Sequence, residues 1–193
     1  NTGRHALVML DQLRSLSGRL ALKLLSSSSQ RAEAMGLALS RLFLEHQGVF
    51  QNQVVVPLDA HLELYKALKQ SAEEMGDEVS FRRTDLALFD LDPASRVVTC
   101  RLVEVKCYSQ VGDVAAYAQL KASIADQIAQ SEHVLAYHFD PRMADVDRPD
   151  RPIKNRDLAA LLGFYLDRPE RYGVVLPEAA EEAHYFLRRL DER

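Results

Sequence analysis

The sequence predicts an α/β domain with a small sheet and numerous helices. Apolar residues recur at helical spacing along much of the chain, as they do in amphipathic helices. Two other apolar runs, residues 79–91 and 97–107, are separated by a segment with turn chemistry, residues 92–96, and this pattern predicts a hairpin. The length of 193 residues and the hydrophobic content of 47% are ordinary for one globular domain.

The first half of the chain combines predicted helices with one short strand. Residues 6–25 carry leucines at helical spacing, and a serine-rich break at residues 26–29 leads into a second amphipathic helix over residues 31–47. Residues 53–58 are predicted to form a strand at the edge of the sheet, because their proline cannot donate a hydrogen bond to a neighbouring strand. Residues 60–74 are predicted to be helical again.

The second half of the chain is predicted to be mostly helical. After the hairpin, residues 109–113 form a loop and residues 114–138 a long helix. Residues 140–154 are rich in Pro, Asp and Arg, which is typical of a mobile loop. Residues 155–190 are predicted to be helical, with one short strand over residues 172–176.

The hairpin carries one aspartate, one glutamate and one lysine. Side chains alternate between the two faces of a strand, so Glu104 and Lys106 point the same way. Pairing Leu91 with the first residues after the turn, Val97 or Val98, puts Asp85 opposite Glu104. Carboxylate oxygens suit Mg²⁺, and a lysine beside them supplies a compact cation. The hairpin therefore predicts a site at which these three groups converge.

An ordinary surface hairpin is the alternative reading of these charges. There, the three groups would form a cross-strand ion pair that stabilises the fold by a few tenths of a kcal/mol. However, the strand that carries Glu104 is apolar on both predicted faces, with Val103 and Val105 on one and Leu102 on the other. Such a strand is usually covered on both sides, and charges within it need a partner or a metal.

An aspartate on one strand and a Glu-x-Lys on the next resemble the PD-(D/E)XK nuclease superfamily, in its RecB-like branch. The resemblance implies a restriction-endonuclease-like fold, in which a small mixed central sheet is flanked by helices. It also implies an endonuclease that hydrolyses DNA phosphodiester bonds with Mg²⁺ or Mn²⁺. It implies that Asp85, Glu104 and the backbone carbonyl of Val105 hold the metal. Lys106 would orient or activate the attacking water and stabilise developing charge.

Two features depart from the usual pattern of this superfamily. Thr84 precedes Asp85 where the name of the family has a proline, although divergent members lack that proline too. Asp90 has a more usual spacing to Glu104 and is a rival for Asp85. Five strand residues would carry Asp90 about 16 Å from Asp85 and onto the opposite face, so Asp85 is preferred.

The resemblance extends to the helices on either side of the hairpin. Gln119 and the leucine after it resemble the glutamine motif of RecB-like members, which lies in the helix after the lysine strand. Glu33, with Glu45 as a fallback, would supply a metal-adjacent glutamate from the helix before the sheet. Both positions also have an ordinary reading, in which Gln119 faces solvent and Glu33 is one of the acids common in the first turn of a helix.

Nucleic-acid binding must come from a local patch, because the net charge of the chain is −4. The candidates are Arg82, Arg83, Arg101 and Lys121, which are otherwise ordinary solvated residues. Residues 140–154 could then be a flap that orders on DNA. Asp59-Ala60-His61 brings an acid close to an imidazole, and we interpret this pair as non-catalytic.

We expect a single nuclease-like domain over residues 1–193, with a helical extension (1–30), a nuclease core (31–139) and a loop with a helical tail (140–193). The chain begins with Asn instead of Met, which suggests a piece of a longer polypeptide. The segment from Glu104 to Tyr108 and the helical tail resemble nuclease domains of large bacterial restriction and defence proteins, including phosphorothioation-linked ones. The rest of such a polypeptide would supply a motor ATPase.

Two other functions are compatible with the sequence. The first is a catalytically inactive nuclease-like module for DNA binding or assembly, and the second is a helical scaffold domain with a decorative hairpin. Cys100 and Cys107 are too far apart along one strand for a disulfide, which suggests a reducing, cytoplasmic compartment. We expect no membrane span, because no apolar run is long enough, and an oligomer is compatible with the sequence.

Overall fold

The described part of the chain forms a three-stranded antiparallel sheet with helices on both faces. The computed structural model describes residues 2–16, 22, 27–49, 53–66, 83–108, 112–143, 149–171 and 177–190. The strands are β1 (Gln53–Pro57), β2 (Leu86–Asp92) and β3 (Val97–Val103). The helices are α1 (Thr2–Leu16), α2 (Ser28–His46), α3 (residues 62–66), α4 (Val114–Phe139), α5 (Arg151–Arg171) and α6 (Pro177–Arg188). Short 3₁₀ turns cover Leu58–Ala60 and Pro141–Met143.

The hairpin of β2 and β3 has one of the two registers that the sequence predicts. Leu91 pairs with Val98, and Leu86 pairs with Val103 at the other end of the ladder. The carboxylate of Asp92 accepts hydrogen bonds from the backbone N–H groups of Ala94 and Ser95, as aspartates commonly do in turns. This turn closes the hairpin and so sets the pairing of all the residues behind it.

The strand order is β1-β2-β3, so β2 is central and β1 lies at an edge, as its proline predicts. The prediction of a mixed sheet is wrong for the described strands, because both pairings are antiparallel. The strand predicted over residues 172–176 and the start of the strand predicted from residue 79 lie outside the described residues. The expectation that both faces of the hairpin are covered holds for β2 only, because β3 is the other edge of the described sheet and is largely exposed.

Alternation along β2 divides the apolar residues between two clusters, one on each face of the sheet. Leu86 packs on the α1–α2 face, whereas Ala87 and Phe89 pack on the α4–α6 face. The α1–α2 face is formed by Leu13, Ala34, Leu37, Ala38 and Leu86. The α4–α6 face includes Val54, Val56, Leu58, Leu135, Leu158, Leu162, Tyr165, Leu166, Phe186 and Leu187. Both faces of the central strand are therefore covered by helices.

Helix α1 contributes to the core through Leu13, whose side chain is fully buried. Burying a leucine stabilises a fold by roughly 1.5–3 kcal/mol. The helix predicted over residues 6–25 begins earlier in the structure, at Thr2, and is described to Leu16; residues 17–21 and 23–26 lie outside the described residues. No described helix combines the length and apolar composition of a membrane span.

The predicted loop over residues 140–154 is shorter than expected at its C-terminal end. Helix α5 already begins at Arg151, and the carbonyl of Asp150 accepts a hydrogen bond from the N–H of Lys154. Pro152 is compatible with this start, because a proline in the first helical turn removes no intrahelical hydrogen bond. Residues 144–148 lie outside the described part of the chain.

Helix α2 approaches the segment after β3 closely at Gly36. A Cβ atom at this position would lie 3.0 Å from the Cβ of Cys107 and 3.7 Å from a methyl carbon of Val105. A side chain at this position would require Cys107 to move by a few tenths of an ångström. Because Val105 and Cys107 face α2, the residues between and beside them face the other way.

A pair of glycine substitutions tests this close packing. We expect Gly36→Ala to destabilise the fold by roughly 1–3 kcal/mol, because the added methyl group collides with Cys107. Gly163→Ala, in α5, is the matched control, since a Cβ at Gly163 has no atom within 4 Å. It should stabilise the fold by about 0.5–1 kcal/mol through helix propensity. Urea denaturation measures both effects, and an equal gain from the two substitutions would contradict the packing.

Candidate functional site

The open end of the hairpin brings Asp85 and Glu104 together. Asp85 directly precedes β2 and Glu104 directly follows β3, so one further step of the register from Leu86 and Val103 puts them opposite each other. The N–H of Asp85 donates a hydrogen bond to Oε2 of Glu104 (3.2 Å), and the N–H of Val105 donates to Oδ2 of Asp85 (2.7 Å). Each carboxylate is thus bound to the backbone of the opposite strand.

The two carboxylates lie on the α4–α6 face of the sheet. Asp85 alternates with Leu86 and Glu104 with Val103, both of which point toward α1 and α2. The side chain of Glu104 is almost fully buried, with 1% of its surface exposed. A buried carboxylate requires hydrogen-bond partners and a compensating cation.

Lys106 supplies that cation and lies with the two carboxylates. Its ammonium group forms an ion pair with Oε1 of Glu104 and donates a hydrogen bond to Oε1 of Gln127 (3.2 Å). Burial lowers the pKa of Lys106, but the hydrogen bond and charge of Glu104 and the charge of Asp85 outweigh this effect, so the pKa is raised overall. Lys106 is therefore a fixed positive charge at neutral pH and not a proton acceptor.

Gln127, in α4, connects Lys106 with the segment before Asp85. Its amide nitrogen donates a hydrogen bond to the carbonyl of Arg83, while its oxygen accepts the bond from Lys106. One turn further along α4, Oγ of Ser131 accepts hydrogen bonds from the N–H of Thr84 (2.9 Å) and from the hydroxyl of Tyr65 (3.0 Å). Helix α4 therefore holds the two residues that precede Asp85.

The amide that contacts Lys106 is thus that of Gln127 and not that of Gln119. Gln119 is exposed and lies eight residues earlier, which is about 12 Å along the helix axis and about 80° around it. Gln127 was not proposed from the sequence. A signal was present, since Gln127 and Ser131 are polar residues on the same stripe of α4 as the buried Val134.

The structure does not place Glu33 with Asp85 and Glu104. Glu33 is exposed on α2, and α2 covers the face opposite the one that carries the two carboxylates. The fallback, Glu45, lies on the same helix. A further carboxylate near Asp85 comes instead from Asp59, which follows β1.

Asp59 approaches Asp85 because the chain after β1 remains paired with the start of β2. The N–H of Leu58 donates a hydrogen bond to the carbonyl of Asp85 (3.0 Å). Nε of Arg83 lies 3.8 Å from Oδ1 of Asp59. His61 has different contacts, since its Nδ1 meets Glu63 (2.8 Å) and its Nε2 meets the hydroxyl of Tyr165 (2.9 Å).

The environment of Asp85 favours its neutral form. Burial is the largest cause, and the charges of Glu104 and Asp59 add to it; the N–H of Val105 and the charge of Lys106 act in the opposite direction. Together they raise the pKa of Asp85 to about 7. When Asp85 and Glu104 are both ionised, they carry one negative charge more than Lys106 balances, and burial penalises this state; an additional cation would relieve the excess.

The predicted basic residues are not gathered in one patch. Arg83 is partly exposed beside Asp59, and Arg82 lies outside the described residues. Arg101 shares the α1–α2 side of β3 with Val103, so alternation turns it away from Glu104. Lys121 is exposed on α4, about 120° around the helix from Gln127. Of the three predicted basic residues that the structure describes, Arg83 is the one that it brings close to the carboxylates.

The oxygen atoms at the hairpin end fit a hydrated hard cation better than a closed metal site. Among the described residues, no group of three or more His, Cys, Asp or Glu side chains is arranged to hold a metal ion. Asp85, Glu104 and the carbonyl of Val105 would form an oxygen-only donor set. Mg²⁺ commonly keeps several waters and binds through one or two carboxylates.

Both described cysteines have free thiols, as their spacing predicts.

Comparison with known proteins gives no match to a family model, to a curated protein or to a solved structure. The geometry and the charges of the site are therefore what indicate its chemistry.

Substituting Asp85 tests the charge excess. The pKa of about 7 lies above the value near 4 of an unfolded chain, so the ionised carboxylate destabilises the fold above pH 7 and this penalty disappears below about pH 4. Without metal, Asp85→Asn should raise the free energy of unfolding at pH 8 by roughly 2–4 kcal/mol and have little effect near pH 4. Asn can still accept the hydrogen bond from Val105.

The control for this experiment is Asp90→Asn, which removes a charge from the same strand on the opposite face. Urea denaturation in EDTA at both pH values measures the two variants. A stabilisation that is the same at pH 4 and pH 8, or the same for Asp90→Asn, would contradict the assignment of the charge excess to Asp85.

Proposed function

We propose that this chain is a nuclease domain that hydrolyses DNA phosphodiester bonds with Mg²⁺ or Mn²⁺, in the manner of the RecB-like PD-(D/E)XK nucleases. The observation that carries the proposal is the convergence of Asp85, Glu104 and Lys106 at the open end of the hairpin. Two carboxylates and a lysine in one partly buried cluster can bind a divalent cation and a phosphate together.

Each residue of the cluster has a distinct part in this proposal. Asp85 and Glu104, with the carbonyl of Val105, would hold the metal, which when bound polarises a phosphate oxygen and activates water. Lys106 keeps its charge at neutral pH, so it would stabilise the charge that develops on the phosphate and orient the attacking water. Gln127 fixes the lysine relative to the segment before Asp85.

The antiparallel sheet supports this fold assignment only in part, because a mixed sheet is expected of the superfamily. The proposal therefore rests on the site more than on the topology. It includes the expectation that this domain is the nuclease part of a bacterial restriction or defence protein. In such a protein a motor ATPase would lie elsewhere in the polypeptide.

An inactive nuclease-like module for DNA binding or assembly is the second candidate. One observation favours it. Both oxygens of Glu104 already have partners, namely Lys106 and the N–H of Asp85, so the network is closed without a metal. In that case the cluster would serve to hold the hairpin end to α4, and metal would not raise the stability of the domain.

The nuclease proposal is tested with Lys106→Ala on plasmid DNA and on single-stranded DNA in Mn²⁺. Lys106 is not a metal ligand in the proposal, so metal should still bind while cleavage falls about 10²-fold or more, the usual effect of losing one preorganised electrostatic group. Asp85→Ala should lose both metal binding and cleavage. The control is Lys66→Ala, an exposed lysine at the described end of α3. Equal cleavage by wild type and Lys106→Ala would overturn the assignment.

The role of Gln127 is tested against that of Gln119. Gln127→Leu leaves the carbonyl of Arg83 without its partner and releases Lys106, so we expect a destabilisation of about 1–3 kcal/mol and slower cleavage. Gln119→Leu changes an exposed amide on the same helix and should leave stability and cleavage unchanged. If cleavage is instead slowed by Gln119→Leu and not by Gln127→Leu, the placement of the amide is wrong.

A further inference from the structure

Tyr108 lies beside the cluster of Asp85, Glu104 and Lys106, and none of the proposed catalytic roles involves it. It comes two residues after Lys106, and more than half of its surface, 56%, is exposed. Val105 and Cys107 both face α2 at Gly36. Tyr108 therefore leaves the chain on the same side as Glu104 and Lys106.

The distance between Lys106 and Tyr108 suits a nucleotide. Two residues of extended chain span about 7 Å, which is comparable with the separation of a phosphate from the base of the same nucleotide. The phenol is also within electrostatic range of the ammonium group of Lys106. A phosphate at Lys106 would thus have an exposed aromatic ring at the position of an adjacent base.

Arg83 occupies the other side of the carboxylate pair. It precedes Asp85 at the β1 side of the site, whereas Tyr108 lies at the β3 side. A cation on one side and an aromatic ring on the other give the site two different ends. A backbone phosphate would meet Arg83, and a base would meet Tyr108.

We infer that Tyr108 is a stacking platform for an unpaired base next to the scissile phosphate, so that the substrate is single-stranded DNA or a single-stranded end. The inference rests on the proposed function for the position of the phosphate. A base within a duplex has both faces covered by its neighbours, so only an unpaired or displaced base offers a face to the ring. Stacking of this kind tolerates any base and gives no sequence preference.

The test measures binding separately from cleavage. Oligonucleotides that contain 2-aminopurine, single-stranded or in a duplex of the same sequence, are titrated in Ca²⁺ to suppress turnover. We expect Tyr108→Ala to lower the affinity for the single strand by about 5- to 100-fold, the range found for removing one stacked base contact, and to abolish fluorescence quenching. Affinity for the duplex should not change.

Two further variants make the result specific. Tyr108→Phe keeps the ring and should bind the single strand as wild type does. Tyr185→Ala removes an equally exposed tyrosine, 55%, from α6 and should also bind as wild type does. Because Tyr108 is exposed, the thermal unfolding of Tyr108→Ala should match that of the wild type.

The outcomes separate this inference from the nuclease proposal. Unchanged single-strand binding by Tyr108→Ala, an equal loss on the duplex, a loss with Tyr108→Phe, or a wild type that binds no single strand would each overturn the inference. If wild type shows the expected stacking but cuts no DNA in Mn²⁺, the stacking site stands and the nuclease proposal fails.

Discussion

The arrangement of the site depends on two hydrogen bonds that cross the open end of the hairpin. Each joins a carboxylate on one strand to a backbone N–H on the other, from Asp85 to Glu104 and from Val105 to Asp85. They force two acidic side chains into one partly buried place, which burial alone would oppose. The contacts of Lys106 and Gln127 follow from this, because the buried charges need a cation and the cation needs a second partner.

Helix α4 gives the cluster its rigidity. Gln127 and Ser131 lie one turn apart and bind the backbone of Arg83 and Thr84, directly before Asp85. A displacement of α4 would therefore move the aspartate and the lysine together. On the opposite face, Leu86 and Val103 next to the site pack against the apolar residues of α1 and α2, so the polar contacts of the site concentrate on one side of the hairpin end.

The sequence was sufficient to predict the hairpin and the convergence of Asp85 and Glu104, because a short turn and strict alternation determine the register. It was not sufficient for contacts that depend on how a helix lies on the sheet. Gln119 fits a motif, but its position along the axis of α4 puts Gln127 at the lysine instead. Glu33 lies on α2, and the pattern of this helix does not say which face of the sheet it covers. The antiparallel direction of β1 depends on a connection that the local sequence does not specify.

The most direct test of the proposed metal site is a crystal structure of the domain soaked in Mn²⁺, with anomalous diffraction at the manganese edge. We expect one strong anomalous peak between the side chains of Asp85 and Glu104, about 2.0–2.6 Å from an oxygen of each. Lys106 should then lie beside the ion without coordinating it. The proposed metal site would be contradicted by the absence of a peak at a Mn²⁺ concentration that supports cleavage, or by an ion that is bound to other residues.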